Sequence, residues 1–239
     1  MRQLTATLLA LPLAAAMIVP SPARAGAQVY EPLSASVQAA LYQAIADHAV
    51  PYLAFETERE ARAWLDAMSS KLARRMPDRV QREEFLVTVH YEAKRAGLDP
   101  QMVLGLIEVE SDFRKYAVSN AGARGYMQVM PFWTRLIGGG KNHNLFHLRT
   151  NLRFGCVILR HYLDVENGNL FRALGRYNGS LGKADYPNMV LRAWHGNWQY
   201  TARPVDTGYT PARATAGGAQ AARSAAFPDG ISGSARLQR

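Results

Sequence analysis

One carboxylate in this 239-residue chain stands where carboxylates are unusual. Between Pro100 and Ser111, the residues Val103, Leu106, Ile107 and Glu110 follow i, i+3, i+4, i+7, so on a helix Glu110 extends an apolar stripe. Glu108 falls about 200° away around the axis and does not share that face. Partial burial and the negative end of the helix dipole both favour the protonated carboxyl. That is the state a general acid needs at neutral pH. The same spacing also fits a solvated glutamate at a fraying helix end, the commoner fate of this residue type.

The surroundings favour chemistry. The 51 residues from 113 to 163 contain no Asp or Glu but eight Lys or Arg, together with Gly122, Gly125 and the run Met127-Gln128-Val129-Met130-Pro131. Glycosidases that use two carboxylates hold them about 5 to 10 Å apart. Here the neighbours in sequence are Glu108, on the other face, and Asp112, two residues on. Glycosidic chemistry at Glu110 is therefore expected to run on a single protein carboxylate.

Competing constellations are weaker. His143 and His147 are four apart, but no Glu follows His143 and Gly138-Gly139-Gly140 argues for a loop, so no metal site is expected. Gly140-Lys141-Asn142 lacks the Ser or Thr and the upstream Gly of a phosphate loop. Cys156, beside Val157 and Ile158, reads as a small core residue and, as the only cysteine, excludes an internal disulfide framework. Trp194 and Trp198 fit either sugar platforms or packing.

The elements that must position Glu110 read as consecutive helices. Val37, Leu41, Ile45 and Ala49 mark one between Ser34 and Val50; Ala61, Trp64, Leu65, Met68 and Leu72 mark a second between Glu56 and Met76. Leu86, Val89, Ala93 and Ala96 belong to a third that starts after Pro77-Asp78 and ends at Gly97, and Asp99-Pro100 caps the helix of Glu110. Asn151 is expected to cap a helix bearing Phe154, Val157, Ile158 and Tyr162. Leu170, Ala173, Leu174 and Tyr177 form the stripe of another, and Asp185 starts a last one with Met189, Val190 and Ala193 inward. No stretch alternates convincingly as a strand, so the class is mainly α.

A leader and a tail bracket these helices. Residues 1–25 run from Arg2 through the apolar stretch Leu8 to Val19 to Ala23-Arg24-Ala25, which reads as a cleaved secretory signal peptide. Pro12 and Pro20 split the segment, and no later run approaches the ~20 apolar residues that span a bilayer, so no transmembrane segment is expected in the mature chain. Gly26, not cysteine, would open that chain, which argues against a lipoprotein. Residues 203–239, with nine Ala, five Arg and only Tyr209 and Phe227 as aromatics, read as a disordered basic tail, more an inert extension than an anion clamp. Overall, 28 Lys+Arg against 19 Asp+Glu give +9. Such a balance suits nucleic acid, an anionic membrane or an acidic polymer, but export and the lack of a clustered basic motif argue against nucleic acid.

The run Glu110-Ser111-Asp112-Phe113, Ala117-Val118-Ser119, Gly122-Ala123, Gly125-Tyr126-Met127-Gln128-Val129-Met130-Pro131, followed by Asn151, Gly155, Ala173-Leu174, Tyr177-Asn178 and Tyr186, resembles the signature of family 1 lytic transglycosylases with the soluble (SLT), goose-lysozyme-like domain. The resemblance covers about residues 78–196. Tyr126, where Leu is frequent, and Asn178-Gly179-Ser180, in place of Asn-Ala-Gly, depart from it. The implied organisation is a helical extension over 26–77, of unassigned role, and a lysozyme-like catalytic domain over 78–202.

The resemblance also implies a reaction. Glu110 would protonate the β-1,4 bond between N-acetylmuramic acid and N-acetylglucosamine in peptidoglycan strands, then take the proton of the C6 hydroxyl that attacks C1, leaving a 1,6-anhydro end. The substrate's own N-acetyl group would stabilise C1, so neither a second carboxylate nor a cofactor is required. Tyr177 would hydrogen-bond and orient Glu110; Ser119, Gln128 and Asn178 would bind sugar groups; Met130 would form an apolar wall. A lysozyme-type hydrolase on the same fold and a catalytically silent wall-binding protein are the alternatives. The positive stretch beside Glu110 is expected to recruit the anionic wall.

Overall fold

The computed structural model describes residues 28–46, 49–139 and 144–201. The expected leader (1–25), the tail (203–239), His143, Lys141 and Asn142 lie outside the described residues, which all fall within one compact unit, Met1–Ala202. They form eight α-helices and a closing π turn: α1 Ala35–Ile45, α2 Glu58–Leu72, α3 Arg79–Arg95, α4 Pro100–Ser111, α5 Phe132–Ile137, α6 Leu148–Val165, α7 Leu170–Tyr177, α8 Asp185–Ala193 and the π turn Trp194–Trp198. Among the described residues there is no strand beyond two isolated bridges, Val118 with Arg124 and Arg124 with Val129. The class is mainly α, as the periodicity predicts.

Local chemistry sets most boundaries. Thr57 and Glu60 close a reciprocal capping box on α2, Asp78 caps α3, and the Asp99 side chain accepts from the Gln101 and Met102 N–H groups ahead of α4. One expected cap is corrected. α6 begins at Leu148 behind His147, so Asn151 lies inside the helix, fully buried, where its side chain has another task. α5 has no apolar period long enough to show in the sequence; it is six residues starting after Pro131.

α4 is the central element, packed on α3, α8 and the π turn, with Val103, Leu104, Leu106 and Ile107 fully buried. Its closest approach is at Gly105, where a Cβ would come within 2.8 Å of the Trp194 backbone nitrogen. Trp198 is not a sugar platform: it is buried, and its Nε1 donates to Glu108 Oε2 at 2.6 Å.

α1 and α2, from the stretch expected as an extension, supply Leu41, Ile45, Trp64, Met68 and Leu72 to the common core. Buried Arg82 ties α2 to α3 through Ser69 Oγ at 2.7 Å and the Met76 carbonyl at 2.6 Å. Behind them, Glu92 is 1 % exposed and ringed by Arg95, Arg149 and Arg153. The same guanidinium groups donate to carbonyls at and beyond the C-terminal end of α1, those of Ala44, Ile45 and Ala49. Cations there satisfy orphan carbonyls and the helix dipole together. Lone removal of Glu92 would leave three arginines facing a carboxylate-free interior.

Candidate active site

Glu110 sits in the last turn of α4, 4 % exposed. The Tyr186 hydroxyl, from the first turn of α8, donates to its Oε1, while Oε2 is buried without a hydrogen-bond partner. Burial raises the carboxyl from 4.5 to about 8, and the Tyr186 hydrogen bond, which favours the charged form, offsets only part of this. At neutral pH the group is therefore an acid, with one oxygen held by Tyr186 and the other buried without a hydrogen-bond partner.

The neighbouring carboxylates are spent elsewhere. Glu108 accepts from Arg75 Nη2 at 2.7 Å, from Asn197 Nδ2 at 2.9 Å and from Trp198 Nε1. Asp112 pairs with Arg75 Nε at 2.5 Å. This network holds an unusual chain reversal directly after Glu110, where Asp112 (φ 48°) and Phe113 (φ 62°) are consecutive left-handed residues. Such conformations cost free energy and persist where surrounding contacts over-determine them. Here the contacts are Arg75 on Asp112 and the buried Phe113 ring against Phe85 and Trp198, with Phe85 in turn on Tyr126.

The loop from 114 to 131 is fastened to this corner from three sides. Ser111 Oγ donates to the Tyr126 carbonyl at 2.8 Å. Asn151, from α6, accepts the Met127 N–H at 2.8 Å and donates to the Arg124 and Leu145 carbonyls, both at 2.8 Å. Gly125 (φ +75°) lies so close to Asn151 that a Cβ would stand 2.4 Å from its Nδ2. On the inner side Met127 rests on Gly155, where a Cβ would meet Sδ at 2.4 Å.

The structure redistributes the expected roles. The Tyr177 hydroxyl donates to the Met127 carbonyl at 2.7 Å, so orienting Glu110 falls to Tyr186 and Tyr177 braces the loop instead. Tyr177 is nonetheless close by: burial and the Glu110 charge both push its pKa up. Gln128 is buried and left-handed (φ 48°), and its Nε2 donates to the Ala117 carbonyl at 3.1 Å and the Gly125 carbonyl at 2.8 Å, which uses its donors inside the loop. Ser119 Oγ accepts from the Ala123 N–H at 3.1 Å. Asn178, the C-cap of α7, donates to Ser180 Oγ at 2.9 Å and leaves its buried Oδ1 unpartnered. Met130 is partly buried against the core, and its backbone N–H is bonded to Gln28 Oε1. Cys156 is fully buried, its thiol pushed up by desolvation, as fits a core residue.

Two residues of the site have no role assigned from the sequence. Tyr186 was legible: Tyr186, Val190 and Ala193 make the buried i, i+4, i+7 stripe of α8, whereas Met189, expected inward, is 39 % exposed. Gln28 carried no signal, because it precedes any helix.

The positive stretch is also divided. Arg149 and Arg153 belong to Glu92, and Arg160 pairs with Asp164. Arg114, Lys115, Arg124 and Arg135 are exposed and form no ion pair among the described residues.

Comparison with known proteins places the same stretch. Residues 88–188 match the family described as Transglycosylase SLT domain. Over 118 residues the chain is 46 % identical to membrane-bound lytic murein transglycosylase C of Haemophilus ducreyi, covering 43 % of this chain and 32 % of that protein. A 52-residue stretch is 50 % identical to the protein of that name from Actinobacillus pleuropneumoniae serotype 5b, 22 % of this chain and 14 % of the relative. The transglycosylase of Enterobacteria phage PRD1 is 30 % identical over 112 residues, 44 % of this chain and 41 % of the phage protein. The chain thus spans less than half the length of each of these relatives. The match takes in the stretch between Glu110 and Tyr186 that carries the resemblance, and that stretch is mostly helical, as a lysozyme-like fold requires.

Proposed function

We propose that this SLT-domain chain is a peptidoglycan lytic transglycosylase, a lyase that acts on glycan strands in the cell envelope. The observation that carries the reading is the buried carboxyl of Glu110, raised to about 8 by desolvation and without a cation beside it, with the nearby Glu108 and Asp112 carboxylates committed to Arg75. A lone acid can cleave a glycosidic bond if the substrate supplies the rest.

In the proposed course Glu110 gives its proton to the oxygen between N-acetylmuramic acid and N-acetylglucosamine. The C1–O bond breaks, and the neighbouring acetamido oxygen shares the positive charge at C1. Glu110, now a carboxylate steadied by the Tyr186 hydroxyl, takes the C6 hydroxyl proton as O6 bonds to C1. The products are a 1,6-anhydromuramoyl end and a new N-acetylglucosamine end, with Glu110 protonated again. Ser119, Met130 and Asn178 remain proposed sugar contacts, while Gln128 and Tyr177 serve by shaping the loop.

The names of the relatives, lytic murein transglycosylase and transglycosylase, support this reading. Among the described residues no helix is long and apolar enough to cross a membrane. The test is mass spectrometry of muropeptides released from purified cell walls. Anhydro ends, one water lighter than reducing ends and absent with Glu110→Gln, are expected; reducing ends would make the enzyme a hydrolase, and undiminished release by Glu110→Gln would remove Glu110 from the chemistry.

A further inference from the structure

Gln28 comes from the extended stretch before α1, outside the matched domain, yet its side chain reaches the site. It is 4 % exposed, and its Oε1 accepts the Met130 N–H at 3.2 Å. Its Nε2 is buried without a hydrogen-bond partner. The carboxamide faces Tyr177, whose ionised form it favours, and the Glu110 charge acts on that same phenol from its own side. Glu110 Oε2 and Asn178 Oδ1 are likewise buried without a hydrogen-bond partner.

We propose that the Gln28 carboxamide occupies the place where the acetamido group of an N-acetylated sugar binds, so that this segment of the chain competes with substrate for the site. The proposal rests on the reading of the site as one for N-acetylated glycan. A carboxamide and an acetamido group are both planar amides with one carbonyl acceptor, the first a primary amide with two N–H donors and the second a secondary amide with one. The Met130 N–H sits outside any helix and needs an acceptor when solvent is excluded. Gln28 supplies it in the absence of sugar, and a sugar carbonyl replaces it like for like.

The hold on Gln28 is light enough for exchange. It accepts one neutral hydrogen bond, from the Met130 N–H, and otherwise meets the neutral Tyr177 phenol, so no charged group holds it. The next two residues, Val29 and Tyr30, are exposed, at 56 % and 58 %. Tyr30 touches the edge of Phe132, and Glu31 pairs with Arg176 at 2.8 Å on the surface. Leu33 is the first apolar residue of the segment that packs against the core.

Competition lowers apparent affinity by the fraction of molecules in which the site is open. In the full chain, Gln28→Ala is expected to bind the β-1,4 trimer of N-acetylglucosamine about three- to tenfold more tightly than wild type, the worth of one neutral hydrogen bond. The deacetylated glucosamine trimer should show no such gain. Calorimetric titration reads both, and unchanged thermal midpoints exclude a folding effect. Equal or weaker binding of the acetylated trimer by Gln28→Ala, or an equal gain with the deacetylated trimer, overturns the proposal. Muropeptide analysis separates this from the reaction: anhydro products with no gain in Gln28→Ala sink the competition alone, and a gain without wall cleavage sinks the reaction alone.

Discussion

The Tyr186 hydroxyl donates to Glu110 Oε1, whereas the Tyr177 hydroxyl, from the preceding helix, donates to the Met127 carbonyl. Two buried tyrosines near one acid thus have different work. One bears on the proton of Glu110, the other on the position of the loop.

Tyr186→Phe removes a bond that favours the Glu110 carboxylate. The proton should be held more tightly, and the carboxylate left by the first step should be a less well-placed base. A rate profile against pH should show its alkaline limb moved upward and the maximal rate lowered, on the order of tenfold. An unmoved limb would mean that the tyrosine does not act through Glu110.

Tyr177→Phe leaves the Met127 carbonyl without its donor. A stability loss of about 1 to 3 kcal/mol is expected from an unsatisfied buried acceptor, with the limb of the pH profile unchanged. Denaturant melts and the pH profile check the two halves separately.

Glu110 also predicts the pH dependence of stability. Its folded value of about 8 lies above the ordinary 4.5, so its contribution is fully present below pH 4.5 and is lost as pH rises to about 8, because the unfolded chain releases a proton that the folded chain keeps. Glu110→Gln is free of this loss. The variant should be equal to or less stable than wild type at pH 4 and more stable by about 1 kcal/mol or more at pH 8, after the cost of a buried unpaired amide is deducted. Melting curves at the two pH values measure the difference; a difference that does not depend on pH would refute the raised pKa.

Gly155→Ala places a Cβ 2.4 Å from Met127 Sδ, and the loop between α4 and α5 must give way. The expected result is a stability loss of about 1 to 3 kcal/mol from overpacking and a still larger fall in activity, since Met127 is also the anchor of Tyr177 and Asn151. Melting temperature and wall-lysis rate together check it.

Lysis should slow as ionic strength rises. Lys115 and Arg135, exposed and without an ion pair among the described residues, are expected to supply part of that slope, so the Lys115→Gln, Arg135→Gln double variant should be slower at low salt and flatter across salt. Turbidity assays from low to physiological salt decide it.

By itself the sequence determined the helices, the apolar stripe that carries Glu110 inward, and the order of motifs that resembles the SLT domain. These are local properties: period, cap and spacing act over one or two turns, and they survive any packing that buries the stripe. Partnership was not local. Tyr186 lies 76 residues from Glu110, and only the packing of α8 on α4, with Gly105 against Trp194, brings its hydroxyl rather than that of Tyr177 to the carboxyl. Asn151 looked like a cap because Asn often caps; inside α6 its amide became the latch of the loop. The eight cations looked like one field because sequence carries no direction, and the fold turned Arg149 and Arg153 inward onto Glu92. Gln28 had no pattern to read at all. Tertiary structure assigned these side chains because a buried polar atom must find its partner in space, and which partner lies within 3 Å is decided by how the helices cross.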